Sequence, residues 1–163
     1  EAVFDILGAE RVAGARVLDL YAGTGALGLE AASRGAACVD FLERSPSVAR
    51  QLHENLEELG LGERARVHRV DLDRAVLPAG ARGPFDLVFL DPPYAGDAGP
   101  RWLRALAKGT WVAPGGVIVY ERRRGTDVPI PDRLGLATER TYSDTTVGFY
   151  RAPAGGPPRE GGA

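Results

Sequence analysis

Ten residues restrict the fold of this chain more than any others: Phe85 to Tyr94, FDLVFLDPPY. Leu87, Val88, Phe89 and Leu90 are apolar without alternation, which predicts a strand buried on both faces, as a parallel sheet requires. Asp91 ends the run. Pro92 and Pro93 lack N–H groups and bias their predecessors away from helix, so the ladder stops there and the chain leaves the sheet stiffly. A carboxylate at Asp91, a peptide carbonyl at Pro92 and the ring of Tyr94 are thus gathered at the carboxyl end of a strand, where open α/β sheets bind ligands. Two acceptors beside a flat ring suit a planar amine.

The other elements follow in order around this strand. Glu1 to Leu7 reads as the end of an amphipathic helix (Val3, Phe4, Leu7) stopped by Gly8 as a left-handed cap. Val17, Leu18 and Leu20 make a buried strand that carries Asp19, and AGTGALG follows directly. The next helix, Gly25 to Arg34, sets Leu27, Leu29, Ala31 and Ala32 against the sheet. A second strand, Ala37 to Glu43, ends in another acid. Ser45 caps and Pro46 opens a helix in which Val48, Leu52, Leu56 and Leu59 recur at helical spacing as far as Gly60. Arg66 to Val70 is a third strand leading into Asp71 and Leu72, and Asp73 is expected to cap a short helix. Trp102, Leu103 and Leu106 mark another short helix, and Pro114-Gly115-Gly116 turns the chain into a fifth strand, Val117 to Glu121. Leu136 to Tyr142 and Thr146 to Tyr150, with Ser143-Asp144 between them, read as an antiparallel hairpin. The fold class is therefore α/β: a mainly parallel seven-stranded sheet, a terminal antiparallel hairpin and helices on both faces. One domain is expected over residues 1–151, with Ala152 to Ala163 as a disordered tail.

Composition removes several classes of function. No apolar run approaches the ~20 residues of a membrane span, and no signal segment opens the chain, so the expected location is the cytoplasm. Cys38 is the single cysteine; it reads as a buried thiol and excludes both a disulfide framework and a cysteine metal site. His53 lies on a helix face beside Glu54, and His68 has no partner at ligand spacing, so no metal is expected. A net charge of −2 and a pI near 5.7 leave no global basic footprint, and any nucleic-acid contact has to be local. Arg122, Arg123 and Arg124 follow the fifth strand at the ligand-binding edge, where they either contact phosphates or form a solvated charge run. The sequence contains no Met, and an amphipathic pattern already begins at Glu1, so the true start is expected to lie upstream.

Gly23, Gly25 and Gly28 satisfy G-x-G-x-x-G between a strand and a helix, the context of a nucleotide-binding turn. Glycine lets the backbone approach a ligand closely, and Glu43 is placed to accept from ribose hydroxyls. NAD and S-adenosylmethionine both carry such a ribose. Asp19 favours the second, because its carboxylate suits a cationic amino-acid end and repels a pyrophosphate. DPPY, moreover, has no role in hydride transfer.

DLYAGTGALGLEAASRGA together with DPPY resembles the RsmD family, bacterial small-subunit ribosomal RNA guanine-N2 methyltransferases with the Rossmann-like class I S-adenosylmethionine-dependent fold. The resemblance extends from EAVFDIL through the final hairpin. It implies methyl transfer from S-adenosylmethionine to the exocyclic N2 amine of a guanine in small-subunit ribosomal RNA, with Asp91, Pro92, Pro93 and Tyr94 at the amine. Asp19, Ala22, Gly23 and Gly25 would line the methionine end, Glu43 the ribose, and Asp71 with the Leu72 amide the adenine edge. The implied partner is ribosomal RNA or an assembling small subunit, met by a monomer. Family members carry a basic segment ahead of the helix that opens this chain, so the chain as given is expected to hold RNA weakly. A planar-amine site alone also admits DNA adenine or protein glutamine, and the glycine pattern alone admits a dinucleotide-binding oxidoreductase or module.

Overall fold

Residues 2–155 are described in the computed structural model. The chain runs α1 (Ala2–Leu7), α2 (Ala9–Val12), β1 (Arg16–Leu20), α3 (Ala26–Ser33), β2 (Cys38–Glu43), α4 (Pro46–Glu58), β3 (Ala65–Arg69), β4 (Phe85–Leu90), α5 (Ala98–Lys108), β5 (Val112–Arg123), β6 (Gly135–Tyr142) and β7 (Thr145–Arg151). The strands form one seven-stranded sheet in the order β3-β2-β1-β4-β5-β7-β6. β1 to β5 pair in parallel, and β7 lies antiparallel to both β5 and β6. This is the Rossmann-like, mainly parallel sheet with a terminal hairpin that the sequence predicts.

Alternation along each strand sorts the apolar side chains into two cores. Val17, Val39, Phe41, Leu87, Phe89, Val119 and Phe149 pack with residues of α1 to α4, including Phe4, Ala31, Leu52 and Leu56. Leu18, Leu20, Leu42, Val88, Leu90 and Ile118 pack on the opposite face with Trp102, Leu103 and Leu106 of α5. Strands covered on both sides need apolar residues at every position, which is why the β4 run shows no alternation. Each fully buried Leu or Phe contributes roughly 1.5–3 kcal/mol. No helix among the described residues is long and apolar enough to cross a membrane.

Several boundaries differ from expectation for identifiable reasons. Gly8 has φ +80 with ψ 151, outside the left-handed helical region, and it starts the short α2 as well as ending α1. Gly25 precedes α3 as its N-cap in the left-handed conformation, φ 84 and ψ 20. The Ser45 hydroxyl accepts from the Val48 N–H at 3.4 Å as predicted, whereas Leu59 is the C-cap of α4 and points into solvent instead of joining the apolar stripe. β5 begins at Val112 and carries Pro114-Gly115-Gly116 within it, because a register shift between the Phe85–Val112 and Leu87–Val117 pairs absorbs the turn residues. α5 begins four residues earlier than its first buried aromatic, at Ala98. Cys38 is half-buried instead of buried. Ala152, expected within the tail, is buried and donates its N–H to the Gly116 carbonyl at 2.9 Å; residues 156–163 lie outside the described residues.

His68 does have an acidic partner. Asp40, fully buried on the face away from α3 and α4, meets His68 Nε2 at 2.8 Å and accepts the Arg82 backbone N–H at 3.1 Å. The loop between β3 and β4 is thereby pinned to β2. A buried carboxylate without such donors would cost several kcal/mol.

Candidate active site

β1 and β4 are neighbours in the sheet, yet the chain leaves β1 into α3 on one face and β4 toward α5 on the other. The crevice at this divergence is where open α/β sheets take ligands. Asp19, Glu43 and Asp91 all stand at its rim.

The first wall is the turn after β1. Tyr21 is held at φ 59, a left-handed conformation unusual for a tyrosine, with its side chain packed on the α5-side core. The Ala22 N–H bonds the Leu42 carbonyl at 3.1 Å, and the Gly25 N–H closes the turn on the Ala22 carbonyl at 2.8 Å. Gly23 lies at φ +57 with open space over it: a Cβ added there would meet nothing within 4 Å. The Gly23 N–H is bonded to Glu43 Oε2 at 2.9 Å, while Glu43 Oε1 accepts from the Ser45 N–H at 3.0 Å. Glu43 therefore ties the glycine turn to the end of β2, a role the sequence did not suggest.

Asp19 is 3% exposed, and its Oδ2 accepts the Gly28 N–H at 3.0 Å. Burial raises its pKa to about 8, against the lowering effect of the Gly28 bond and with smaller upward pushes from Asp91 and Glu43. Gly28 is required by this contact, since a Cβ there would lie 2.3 Å from Phe41 Cε1 and 2.9 Å from Asp19 Oδ2. Beyond β3, Asp71 and not Asp73 is the capping residue: its Oδ1 accepts the Asp73 N–H at 3.0 Å and opens a short 3-10 turn, Leu72–Arg74. The Leu72 carbonyl accepts from Trp102 Nε1 at 3.0 Å, which fixes the turn to α5. An open groove of about 350 Å³ lies beside Asp71, lined by Arg44, Arg69 and Val70.

The opposite wall is the Asp91-Pro92-Pro93-Tyr94 turn. Pro92 is buried, whereas Asp91 and Tyr94 are exposed. Partial desolvation raises the Asp91 pKa to about 6, with a smaller contribution from the Glu121 charge. The Tyr94 hydroxyl sits 2.8 Å from Thr145 Oγ1, so the ring is steadied from β7, 51 residues away. A cavity of about 150 Å³ opens here, lined by Pro92, Pro93, Tyr94, Tyr120, Glu121 and Arg123 among others.

The three arginines do not act together. The Arg122 guanidinium is spent inside the protein, donating to Thr126 O at 3.2 Å, the Tyr150 hydroxyl at 3.4 Å and Glu139 Oε2 at 2.9 Å. Arg123 and Arg124 are exposed beside the cavity. Glu121 and Thr145 also belong to this region without having been singled out from the sequence; Glu121 follows the apolar run of β5 as Asp91 follows that of β4, and that parallel is the one local signal.

Residues 1–151 match a family model described as conserved hypothetical protein 95. Ribosomal RNA small subunit methyltransferase D of Haemophilus influenzae is 35% identical over 136 residues, 82% of this chain and 70% of that protein. The protein of the same name from Escherichia coli K12 is 33% identical over 143 residues, 87% of this chain and 71% of the relative. Among solved structures, yhhF from Escherichia coli superposes with a TM-score of 0.84 at 30% identity, covering 94% of this chain and 85% of that one.

Proposed function

Because this chain belongs to the conserved hypothetical protein 95 family, and its relatives include ribosomal RNA small subunit methyltransferases, we propose that it methylates the exocyclic N2 amine of a guanine in small-subunit ribosomal RNA, with S-adenosylmethionine as donor. The observation that carries this reading is Asp91 with Pro92, Pro93 and Tyr94 directly after β4, beside the parallel strand β1 that leads into the Gly23 turn, and near enough for the Asp91 charge to act on Asp19. When bound, S-adenosylmethionine supplies an electrophilic methyl group. The residues present suit it: the open space over Gly23 admits a ligand against the backbone, Glu43 stands beside that turn at the end of β2, and Asp71, followed by the Leu72 amide, borders the groove beyond β3. Asp19, a neutral acid at pH 7 while buried alone, gains a reason to ionise beside the ammonium of the methionine end.

Asp91 and the Pro92 carbonyl offer two acceptors to an amine whose lone pair is otherwise delocalised into a purine ring. Holding both N–H groups turns that lone pair out of conjugation and aims it. Positive charge grows on the nitrogen during transfer, so the Asp91 carboxylate stabilises the transition state more than the ground state. With a pKa of about 6, Asp91 is mostly ionised at neutral pH and basic enough to take the proton released afterwards. Tyr94 stacks on the extruded base, worth ~1–3 kcal/mol in single-strand recognition. Arg123 and Arg124 meet the flanking phosphates, while Arg122 holds the platform that carries them.

The test is methyl transfer from labelled S-adenosylmethionine to undermethylated ribosomal RNA or small subunits, followed by nucleoside analysis. N2-methylguanosine is the expected product. Label on another base, or on protein, would overturn the reading.

A further inference from the structure

Resting on that reading, we propose that Glu121 is the residue that makes this site select guanine, by accepting the N1–H of the base while Asp91 and the Pro92 carbonyl engage its amine. Leu90 pairs with Tyr120 across β4 and β5, so Asp91, the first residue past β4, stands beside Glu121, which still lies within β5 two residues before its end. Glu121 alternates with Tyr120, which packs on the α5 side, and so lies on the face of Val119, away from α5. It lines the same cavity as Pro92, Pro93 and Tyr94. The carboxylate is half-buried and has no hydrogen-bond partner among the described residues, unlike Asp40 and Glu43, each of whose two oxygens accepts a bond, and Asp19, whose Oδ2 does. Desolvation raises its pKa above the ordinary glutamate value, the mark of an acceptor kept short of water.

The chemistry of the base edge does the rest. Guanine presents the N2 amine and N1–H as adjacent donors, and a row of acceptors matches both. Adenine presents its N6 amine next to an N1 lone pair, which would face the Glu121 carboxylate acceptor to acceptor. A site built around a substrate donor rejects the analogue that lacks it, because its own polar group is left unpaired. Asp91-Pro-Pro-Tyr alone recognises a planar amine; Glu121 supplies the second half of the recognition.

The discriminating substrate is 2-aminopurine, which keeps the C2 amine but has a lone pair at N1. Small subunits are reconstituted on ribosomal RNA carrying either guanine or 2-aminopurine at the methylated position. Wild-type protein is expected to prefer guanine by about 100-fold in kcat/KM, below the largest discriminations known because Glu121 is only half-buried. Glu121→Gln keeps the shape and can turn its amide donor toward an N1 lone pair, so the preference should narrow to within about fivefold. Such narrowing assigns the discrimination to position 121 and not to the missing O6 of 2-aminopurine. An equal S-adenosylhomocysteine-induced thermal shift in both proteins verifies that the variant is folded. If wild-type protein methylates guanine and 2-aminopurine alike, or Glu121→Gln keeps the full wild-type preference, the proposal is overturned while the guanine methyltransferase reading stands. If wild-type protein methylates neither, both fall.

Discussion

Changing Gly23 and Gly25 to alanine, one at a time, separates space reserved for a ligand from space already filled by the core. Both glycines sit at positive φ, +57 and +84, where an L-residue costs about 1–2 kcal/mol. At Gly23 that is the whole expected cost, since the added Cβ meets nothing within 4 Å. At Gly25 the Cβ would fall 2.3 Å from Leu52 Cδ1 and 3.3 Å from Phe41 Cε1, both on side chains with no exposed surface. Overpacking of that kind adds about 1–3 kcal/mol, for a total of about 2–5 kcal/mol. Urea unfolding gives the stabilities, and each kcal/mol corresponds to a melting shift of about 2–4 °C in a chain of this size. Calorimetric titration with S-adenosylhomocysteine gives the affinities. Gly23→Ala should bind at least about tenfold more weakly, a loss of ~1.4 kcal/mol, while remaining the more stable of the two variants. Unchanged affinity in Gly23→Ala would refute the placement of the cofactor over that turn. Equal stability of the two variants would refute the packing argument.

Asp91→Asn should lower methyl transfer by about 100-fold or more while leaving S-adenosylhomocysteine affinity nearly unchanged. In the wild type the rate should fall as pH drops through about 6, where Asp91 takes up a proton; a flat acid limb would remove Asp91 from the chemistry. Asp19, with its pKa raised from 3.8 to about 8, holds in the folded state a proton that the unfolded chain releases, so its stabilising contribution is full below pH 3.8 and is lost as pH rises through about 8. Urea midpoints at pH 5 and pH 8 should therefore differ less in Asp19→Asn than in the wild type, and identical differences would contradict this. Arg123→Ala and Arg124→Ala should each reduce the salt slope of RNA binding by ~0.7–0.9, whereas Arg122→Ala should lower the melting temperature and leave the slope alone; the reverse pattern would exchange their roles. Tyr94→Phe should cost a little activity by releasing Thr145, and Tyr94→Ala much more by losing the ring; equal losses would place the hydroxyl, not the stacking face, at the substrate.

What the sequence displayed was what is local. The unalternating run of β4, the Asp91-Pro92-Pro93 stop and the glycine turn each act on their own neighbours, and each is found where expected. What it concealed depends on register. Arg122 and Arg123 are adjacent in the chain, but the two-residue period of β5 sends Arg122 to Glu139 and Tyr150, on strands whose alignment no short window reveals. Asp40 finds His68 and Arg82 only after β2 and β3 pair in register and the β3–β4 loop folds back. Asp71 and Asp73 offered equal capping chemistry, and the course of the chain out of β3 chose Asp71. Pro114-Gly115-Gly116 looked like a boundary because breakers usually are one, yet a bulge accommodates them inside a strand.

β6 precedes β7 in the chain but joins the sheet only through it, because the spatial order is β5-β7-β6. As the polypeptide emerges during synthesis, Gly135 to Tyr142 has nothing to pair with until Thr145 to Arg151 has followed, and the outer edge of β5 stays bare for as long. A message that stops at Tyr142 therefore costs the protein two strands and not one. Thr145, the first residue of β7, is also the anchor of Tyr94, so the aromatic wall of the crevice is set only when the last strand arrives. Pairing of β7 and completion of the site are the same event.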